Sequence, residues 1–102
     1  MNVLGIETSC DETALSIVQD GKKILGQKLF SSLRYHKKYG GIIPEIASRL
    51  HLEAIGYLFK DLLKETRLNV EAINLVAVTS GPGLLGSLVV GVCFAKAISY
   101  AL

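Results

Sequence analysis

A short polar segment between two apolar runs near the start of the chain constrains the fold more than any other stretch. The runs, residues 3–6 and 14–18, have strand length and are bounded by turn formers, so they predict a β-hairpin. The connection, residues 7–13, contains three carboxylates, three hydroxyls and a thiol but no glycine. A tight two-residue turn would favour Asn-Gly or Gly-Gly. The residues alone leave two interpretations open, a ligand-binding loop and a solvated hairpin tip.

The length, net charge and cysteine content limit the class of protein to which this chain can belong. A chain of 102 residues forms at most one domain with a small core, and a net charge of +2 does not by itself indicate a nucleic-acid partner. Cys10 and Cys93 are far apart and form no CxxC motif, so we expect no disulfide framework and a cytoplasmic location. No basic region followed by an apolar run opens the sequence, so a secretory signal is not expected.

The last 19 residues, 84–102, are apolar and nearly long enough to span a membrane. They include Lys96 and two serines, however, and they follow directly on a Gly-Pro-Gly turn. A buried or interface helix is therefore the better interpretation, and no membrane contact is expected. Because no Gly, Asn or Pro follows this helix, we expect the chain to be a fragment of a longer domain.

The remaining patterns predict a mixed α/β order of elements. Strands are expected at residues 3–7, 13–19 and 22–31 as an antiparallel meander, with Asp20-Gly21 as a tight turn. A long helix is expected at 44–67. The nearly continuous apolar run at 74–80 predicts a parallel strand covered on both faces.

Two surfaces of this arrangement suggest partners. Residues 34–39 are basic and aromatic, which suits a phosphate backbone and stacked bases, although a run this short favours a solvated loop before the helix. The long helix carries one apolar stripe at 47, 50, 54, 58 and 62 and a second at 55, 59 and 63. The second stripe indicates either another subunit or coverage by the final helix.

His36 and His51 are too far apart for a metal-binding pair, so no metal site is predicted.

Residues 81–86 form a GxGxxG pattern after a strand and before a helix, as in a dinucleotide-binding motif. That motif normally follows the first strand and is followed by an acidic residue on the next strand, which this chain does not contain. Pro82 also lacks the N–H that a phosphate cradle would use. The glycines still allow a ligand or another strand to approach the backbone closely.

Three segments together resemble one known family. They are GIETSCDET at 5–13, HKKYGGIIPEIASRLH at 36–51 and VTSGPGLLGSLVVG at 78–91. In this order they resemble the TsaD/Gcp/YgjD family, which forms threonylcarbamoyladenosine in tRNA and was once labelled O-sialoglycoprotein endopeptidase. No HExxH motif or nucleophile–histidine arrangement supports the older label. Members of that family are much longer, so the chain resembles their N-terminal part.

The resemblance implies an α/β fold, namely the N-terminal part of an actin-like ATPase (ribonuclease H-like) domain. It would contain an antiparallel three-strand meander, a parallel strand and two long helices, and residues 1–102 would be an incomplete subdomain. The first loop of such folds approaches nucleotide phosphates. We therefore expect Glu7, Ser9, Gly81 and Gly83 near the nucleotide cleft. Asp11 and Glu12 are the candidate catalytic residues.

The resemblance also implies a reaction. The complete protein would transfer a threonylcarbamoyl group from threonylcarbamoyl-AMP to N6 of adenosine 37 in tRNAs that read codons beginning with A; ATP or ADP is the related nucleotide ligand. Its iron or zinc would be held by residues absent here, so the chain alone would be inactive. The implied partners are tRNA and a TsaB-like paralogous subunit bound through helices 44–67 and 84–102, with self-association of the fragment as a further expectation. A non-catalytic scaffold paralogue and a dinucleotide-binding module remain as alternatives.

Overall fold

A computed structural model describes residues 1–38, 40–41 and 43–101 of the chain. It contains a four-stranded sheet, two long helices and two short helical turns. The strands are β1 (Asn2–Glu7), β2 (Glu12–Gln19), β3 (Lys23–Ser31) and β4 (Leu75–Val78), and the α-helices are α1 (Leu33–Lys37), α2 (Pro44–Thr66) and α3 (Leu85–Ala101). A single 3₁₀ turn, Val70–Ala72, precedes β4.

The sheet has the strand order β3-β2-β1-β4. β1 pairs antiparallel with β2 and parallel with β4, and β2 pairs antiparallel with β3. Asp20 and Gly21, with φ of 53° and 67°, supply the two positive φ values that a tight hairpin of this hand requires. The predicted meander and its turn are therefore confirmed, with strand ends that differ by one residue.

Both long helices pack on the same face of the sheet and enclose one core. Leu4 and Ile6 of β1 and Leu15 and Ile17 of β2 are almost fully buried beneath them. Phe59 of α2 and Phe94 of α3 meet edge to face with ring centroids 5.5 Å apart. The core therefore holds the first hairpin, α2 and α3 together as one unit, and the ends of these elements cannot shift independently.

The expectation that β4 is covered on both faces is wrong for the residues that the structure describes. Val76 and Val78 pack against the core, whereas Leu75 and Ala77 are exposed on the other face. The physical reason is that α2 and α3 lie on the same side and β4 is an edge strand paired only with β1. The apolar run at 74–80 thus reflects one buried face and one open face.

A short helix, α1, occupies part of the stretch predicted as a loop. Within it His36 is buried and hydrogen-bonded inside the protein, so it does not belong to a basic surface. Arg34, Lys37 and Lys38 are exposed, while Tyr39 lies outside the described residues. The exposed basic surface at residues 34–39 therefore does not include His36, contrary to what the sequence suggests.

The long helix begins at Pro44 as predicted and ends at Thr66, where Arg67 takes a left-handed conformation with φ of 58°. Its buried side includes Ile55 and Phe59 from the second apolar stripe, and α3 packs against them. Coverage by the final helix therefore accounts for this stripe. Leu52 remains 67% exposed. None of the helices that the structure describes has both the length and the apolar character needed to cross a membrane.

Candidate active site

Three consecutive backbone carbonyls of the acidic segment, defined here as residues 7–12, accept hydrogen bonds from the rest of the protein and hold the segment in place. Ser9 O accepts a hydrogen bond from Leu84 N at 2.8 Å, and Cys10 O accepts one from the His51 ring at 2.8 Å. Asp11 O accepts hydrogen bonds from both the backbone N–H and the hydroxyl of Ser32, at 2.8 and 2.7 Å. Because these carbonyls are directed inward, the connection is a fixed loop and not a solvated hairpin tip.

His51 joins α2 to the middle of the acidic segment and to β2. A carbonyl can only accept, so Nε2 of His51 donates to Cys10 O, and Nδ1 accepts from the Thr13 hydroxyl at 2.6 Å. The ring is 1% exposed. Burial lowers its pKa below the ordinary value of 6.5, although the Cys10 carbonyl and the nearby carboxylates oppose this shift. The imidazole is therefore neutral at physiological pH, in the tautomer that the two bonds require.

His36 supports the next residue of the segment, Asp11, through a chain of hydrogen bonds. The Ile43 N–H donates to His36 Nδ1 at 3.2 Å, so Nε2 carries the proton and donates to Ser32 Oγ at 2.9 Å. The Ser32 hydroxyl then donates to Asp11 O. Since Asp11 follows Cys10 directly, the peptide groups on both sides of Asp11 are fixed.

Glu7 links the end of β1 to the end of β4. One carboxylate oxygen accepts from Ser9 N at 2.5 Å and the other from the Thr79 hydroxyl at 2.8 Å. Burial alone would raise the Glu7 pKa, but the hydrogen bonds from Ser9 and Thr79 outweigh it, so the pKa is lowered. Both Glu7 oxygens therefore make contacts inside the protein.

The corner that follows β4, residues 81–84, packs directly on the acidic segment. A Cβ added at Gly83 would lie 2.6 Å from Ser9 O, whereas one added at Gly81 would meet nothing within 4 Å. Deeper in the same contact, the Thr8 hydroxyl donates to Ser87 O of α3 at 2.6 Å. Glycine at position 83 thus permits a backbone contact that any side chain would block.

This contact also argues against the dinucleotide-binding alternative. In a dinucleotide-binding motif the N–H groups at the start of the helix bind the pyrophosphate. Here Leu84 N already donates to Ser9 O, and β4 follows three other strands among the described residues instead of being the first. Gly83 serves contact with the hairpin loop instead, and Gly86 lies against Ser48 of α2.

The structure brings the predicted site residues to one end of the sheet, with different exposures. Asp11 is half-buried and Glu12 is exposed at the start of β2. Glu7 and Ser9 contact each other, and Gly83 lies against Ser9, while Gly81 is exposed beside them. Their roles toward a ligand stay predictions.

Sequence reasoning did not identify the residues that support this segment. They are polar side chains spread over three elements and three connections, and only one signal marked them, namely polar residues at buried positions of otherwise apolar patterns. The supporting residues are Thr8, Thr13, Ser32, His36, His51 and Thr79.

The residues present do not fit the iron or zinc that the family resemblance implies. Across residues 1–38, 40–41 and 43–101, no three His, Cys, Asp or Glu side chains come together in a way that could hold a metal ion. His36 and His51 each use both ring nitrogens in the hydrogen bonds described above. We therefore derive no catalytic step through a metal from this chain.

The fold and the loop together define the class of protein. A three-strand meander, a parallel fourth strand and two helices on one face, with the first hairpin loop meeting the start of α3, form the α/β architecture of the actin-like ATPases. The solved structure of YeaZ from Pseudomonas aeruginosa superimposes with a TM-score of 0.70 at 19% identity, covering 98% of this chain and 39% of that chain. At this identity the likeness concerns the fold alone.

Sequence comparison identifies the family within this class. The family model for TsaD, tRNA N6-adenosine threonylcarbamoyltransferase, matches residues 23–102, and the chain belongs to this family. The relative named tRNA N6-adenosine threonylcarbamoyltransferase in Caldicellulosiruptor saccharolyticus is 54% identical over 101 residues, and that in Fusobacterium nucleatum is 48% identical over 101 residues. Each alignment covers 99% of this chain, and the chain spans 30% of the length of both relatives.

Proposed function

We propose that this chain supplies the acidic segment to a transferase that moves a threonylcarbamoyl group from threonylcarbamoyl-AMP to N6 of adenosine 37 in tRNAs reading codons that begin with A. One observation carries the proposal. In a chain of the TsaD family, the acidic segment is fixed by three inward-directed carbonyls against the corner before α3. Such a fixed loop is typical of a site that must hold charged groups in a defined direction.

In the transfer, the adenosine N6 amine attacks the carbamoyl carbon of the mixed anhydride. A C–N bond forms, the C–O bond to the phosphate breaks, and AMP leaves with the electron pair. The amine must also lose a proton, which a carboxylate close to the reacting nitrogen can accept. Asp11 is the better candidate for this base, because it is half-buried and its backbone is fixed on both sides. Glu12 is more exposed, so it is the second candidate for this base.

The nucleotide is expected beside the contact between the segment and the corner. Ser9, Gly81 and Gly83 lie there and present a small hydroxyl and an open backbone. The same site would accommodate the adenylate half of threonylcarbamoyl-AMP, or ATP or ADP. The opposite wall of the cleft and the iron or zinc ligands would come from the part of the transferase that this chain does not match, so the chain alone is expected to be inactive.

The exposed basic residues suit the tRNA partner. Arg34, Lys37 and Lys38 follow Ser32 within six residues, and Ser32 contacts Asp11 of the acidic segment. Cationic side chains bind phosphate groups without reading sequence, which would hold the tRNA backbone while adenosine 37 reaches the site. We propose a cytoplasmic location together with this tRNA-modifying role.

The helix pair suits a TsaB-like paralogous subunit. Leu52 of α2 and Val89 and Cys93 of α3 line a groove of about 350 Å³ between the two helices. Leu85, at the start of α3, is 79% exposed. A partner with the same fold could present the same pair of helices and cover this apolar groove in a pseudo-symmetric contact. Without that subunit, two copies of this chain could associate through the same surface.

A chimera tests the proposed function. This chain replaces the aligned 101 residues of the Caldicellulosiruptor saccharolyticus relative, and threonylcarbamoyl transfer to tRNA is measured by nucleoside analysis with threonylcarbamoyl-AMP as donor. We expect threonylcarbamoyladenosine at adenosine 37 and none on a tRNA with guanosine at that position. A folded chimera that forms no product, while the unmodified relative does, would contradict the proposal.

A further inference from the structure

Asp11 lies between two peptide groups, and each of them is held by a system that ends in a buried histidine. The preceding carbonyl, that of Cys10, accepts from His51 at 2.8 Å. The carbonyl of Asp11 itself accepts from Ser32 at 2.7 Å, and Ser32 Oγ accepts in turn from His36 at 2.9 Å. Both imidazoles are 1% exposed. With both peptide planes fixed, only the side-chain torsions of Asp11 remain free.

We propose that His51 is a positioning residue, which sets the direction in which the Asp11 side chain leaves the backbone by holding the Cys10 carbonyl. This inference deepens the proposed function and rests on it, because Asp11 is the base proposed there. His51 itself is expected to touch neither the nucleotide nor the tRNA, since its two ring nitrogens already bond to Cys10 and Thr13.

Packing alone does not explain a histidine at this point of α2. The other buried residues of the helix are Ala47, Ile55, Phe59 and Leu62, and an apolar side chain at position 51 would continue their stripe. It would also leave the Cys10 carbonyl and the Thr13 hydroxyl without their partners. Imidazole fits because one nitrogen donates to the loop while the other accepts from β2, which fixes the plane of the ring.

The charges around His51 support a neutral ring that acts through hydrogen bonds. Glu7 and Asp11 face it and favour its protonated form, whereas His36 and the burial of the ring disfavour that form. Burial dominates, so the His51 pKa is lowered. Protonation would place a proton on Nδ1, which could then no longer accept from Thr13.

A pair of variants of similar side-chain length separates positioning from packing. His51→Gln keeps an N–H donor that can reach the Cys10 carbonyl, while His51→Met removes it. In the chimera, we expect His51→Met to lower kcat by about 100-fold with KM for tRNA changed less than about threefold, and His51→Gln to retain kcat within about tenfold. Phe59→Leu, a buried change on the same helix that does not touch the loop, is the control and leaves kcat unchanged. Equal losses in the Gln and Met variants would overturn the inference.

Nuclear magnetic resonance of the chain itself provides a readout that does not depend on transferase activity. We expect one sharp Asp11 amide signal in the unchanged chain and in His51→Gln, and exchange broadening or doubling of that signal in His51→Met. The same sharp Asp11 signal in both variants would overturn the inference, even if the chimera proves inactive. If His51→Met does not fold, two variants of Thr13 are compared instead. Thr13→Val removes the hydroxyl that bonds to His51, and Thr13→Ser keeps it. Broadening of the Asp11 amide signal only in Thr13→Val would support the positioning role of His51, and identical spectra of the two Thr13 variants would contradict it.

Discussion

The backbone N–H of Leu84 donates a 2.8 Å hydrogen bond to the carbonyl of Ser9 and so joins the start of α3 to the acidic segment. The contact is close because Gly83 has no side chain, and an added Cβ there would lie 2.6 Å from Ser9 O. One polar loop and one glycine-rich corner, distant in sequence, therefore form a single surface at one end of the sheet.

Gly83→Ala is expected to separate the corner from the acidic segment. The new methyl group would meet backbone atoms of Ser9 that cannot move without breaking the carbonyl contacts of the loop. We expect a loss of about 1–3 kcal/mol in the free energy of unfolding, as for other overpacked sites, measured by urea denaturation. Transfer activity of the chimera should fall about 100-fold because the segment is displaced.

The matched control for this change is Gly81→Ala, which lies two residues earlier in the same corner. A Cβ at position 81 meets nothing within 4 Å, so the free energy of unfolding should remain close to that of the unchanged protein. Similar behaviour of the two alanine variants would show that the corner and the segment are not coupled as described.

Acid should destabilise the chain in two steps with different origins. The His51 pKa in the folded state is below its ordinary value of 6.5. As the pH falls below 6.5, His51 of the unfolded chain therefore takes up a proton before His51 of the folded chain does, and the free energy of unfolding declines. The Glu7 pKa is below its ordinary value of 4.5, so the stability contributed by its ionised form is present above that pH and lost below it. Thermal unfolding followed by circular dichroism from pH 8 to pH 3 would measure both steps.

Two substitutions assign the steps. His51→Gln should remove the decline that begins near pH 6.5, and Glu7→Gln should remove the one that begins near pH 4.5, since each change deletes the titrating group. Glu7→Gln should also lower stability at neutral pH, because the bonds from Ser9 and Thr79 to a carboxylate are replaced. A first step that persists in His51→Gln would contradict the assignment to His51.

The groove between α2 and α3 is expected to bind a TsaB-like subunit. Leu52→Asp places a charge on this groove at a position that is 67% exposed, so the fold should remain intact while association weakens at least about tenfold. Isothermal titration with a purified TsaB-like subunit measures the effect. Tyr57→Asp, at a 73% exposed position of the same helix that lines a different groove, is the control and should bind normally. Equal weakening by both variants would place the partner elsewhere.

Local patterns in the sequence predict most of this fold. The spacing of apolar residues locates three strands and α2, and Asp20-Gly21 marks a turn whose two positive φ values the structure confirms. The open face of β4 was not predictable in the same way, because Leu75 and Ala77 continue an apolar run whether or not a further element covers them.

Most supports of the candidate site are long-range contacts, which local patterns mark only as polar residues at buried positions. His51 reads as an isolated polar residue on a helix until the fold brings it to the carbonyl of Cys10. His36 reads as part of a basic patch until α1 turns it toward Ser32. The sequence therefore indicates which carboxylates are candidates for function, whereas only the structure shows that both peptide groups next to Asp11 are held by hydrogen bonds.

The most direct test of the account compares Asp11→Asn with Glu12→Gln in the chimera, with threonylcarbamoyl transfer to tRNA measured in single turnovers. If Asp11 is the base that the loop holds in place, Asp11→Asn should slow transfer by about 100-fold or more while tRNA binding is unchanged, and Glu12→Gln should slow it by less than about tenfold. Transfer at the unchanged rate in Asp11→Asn would contradict the central claim that this segment performs the chemistry.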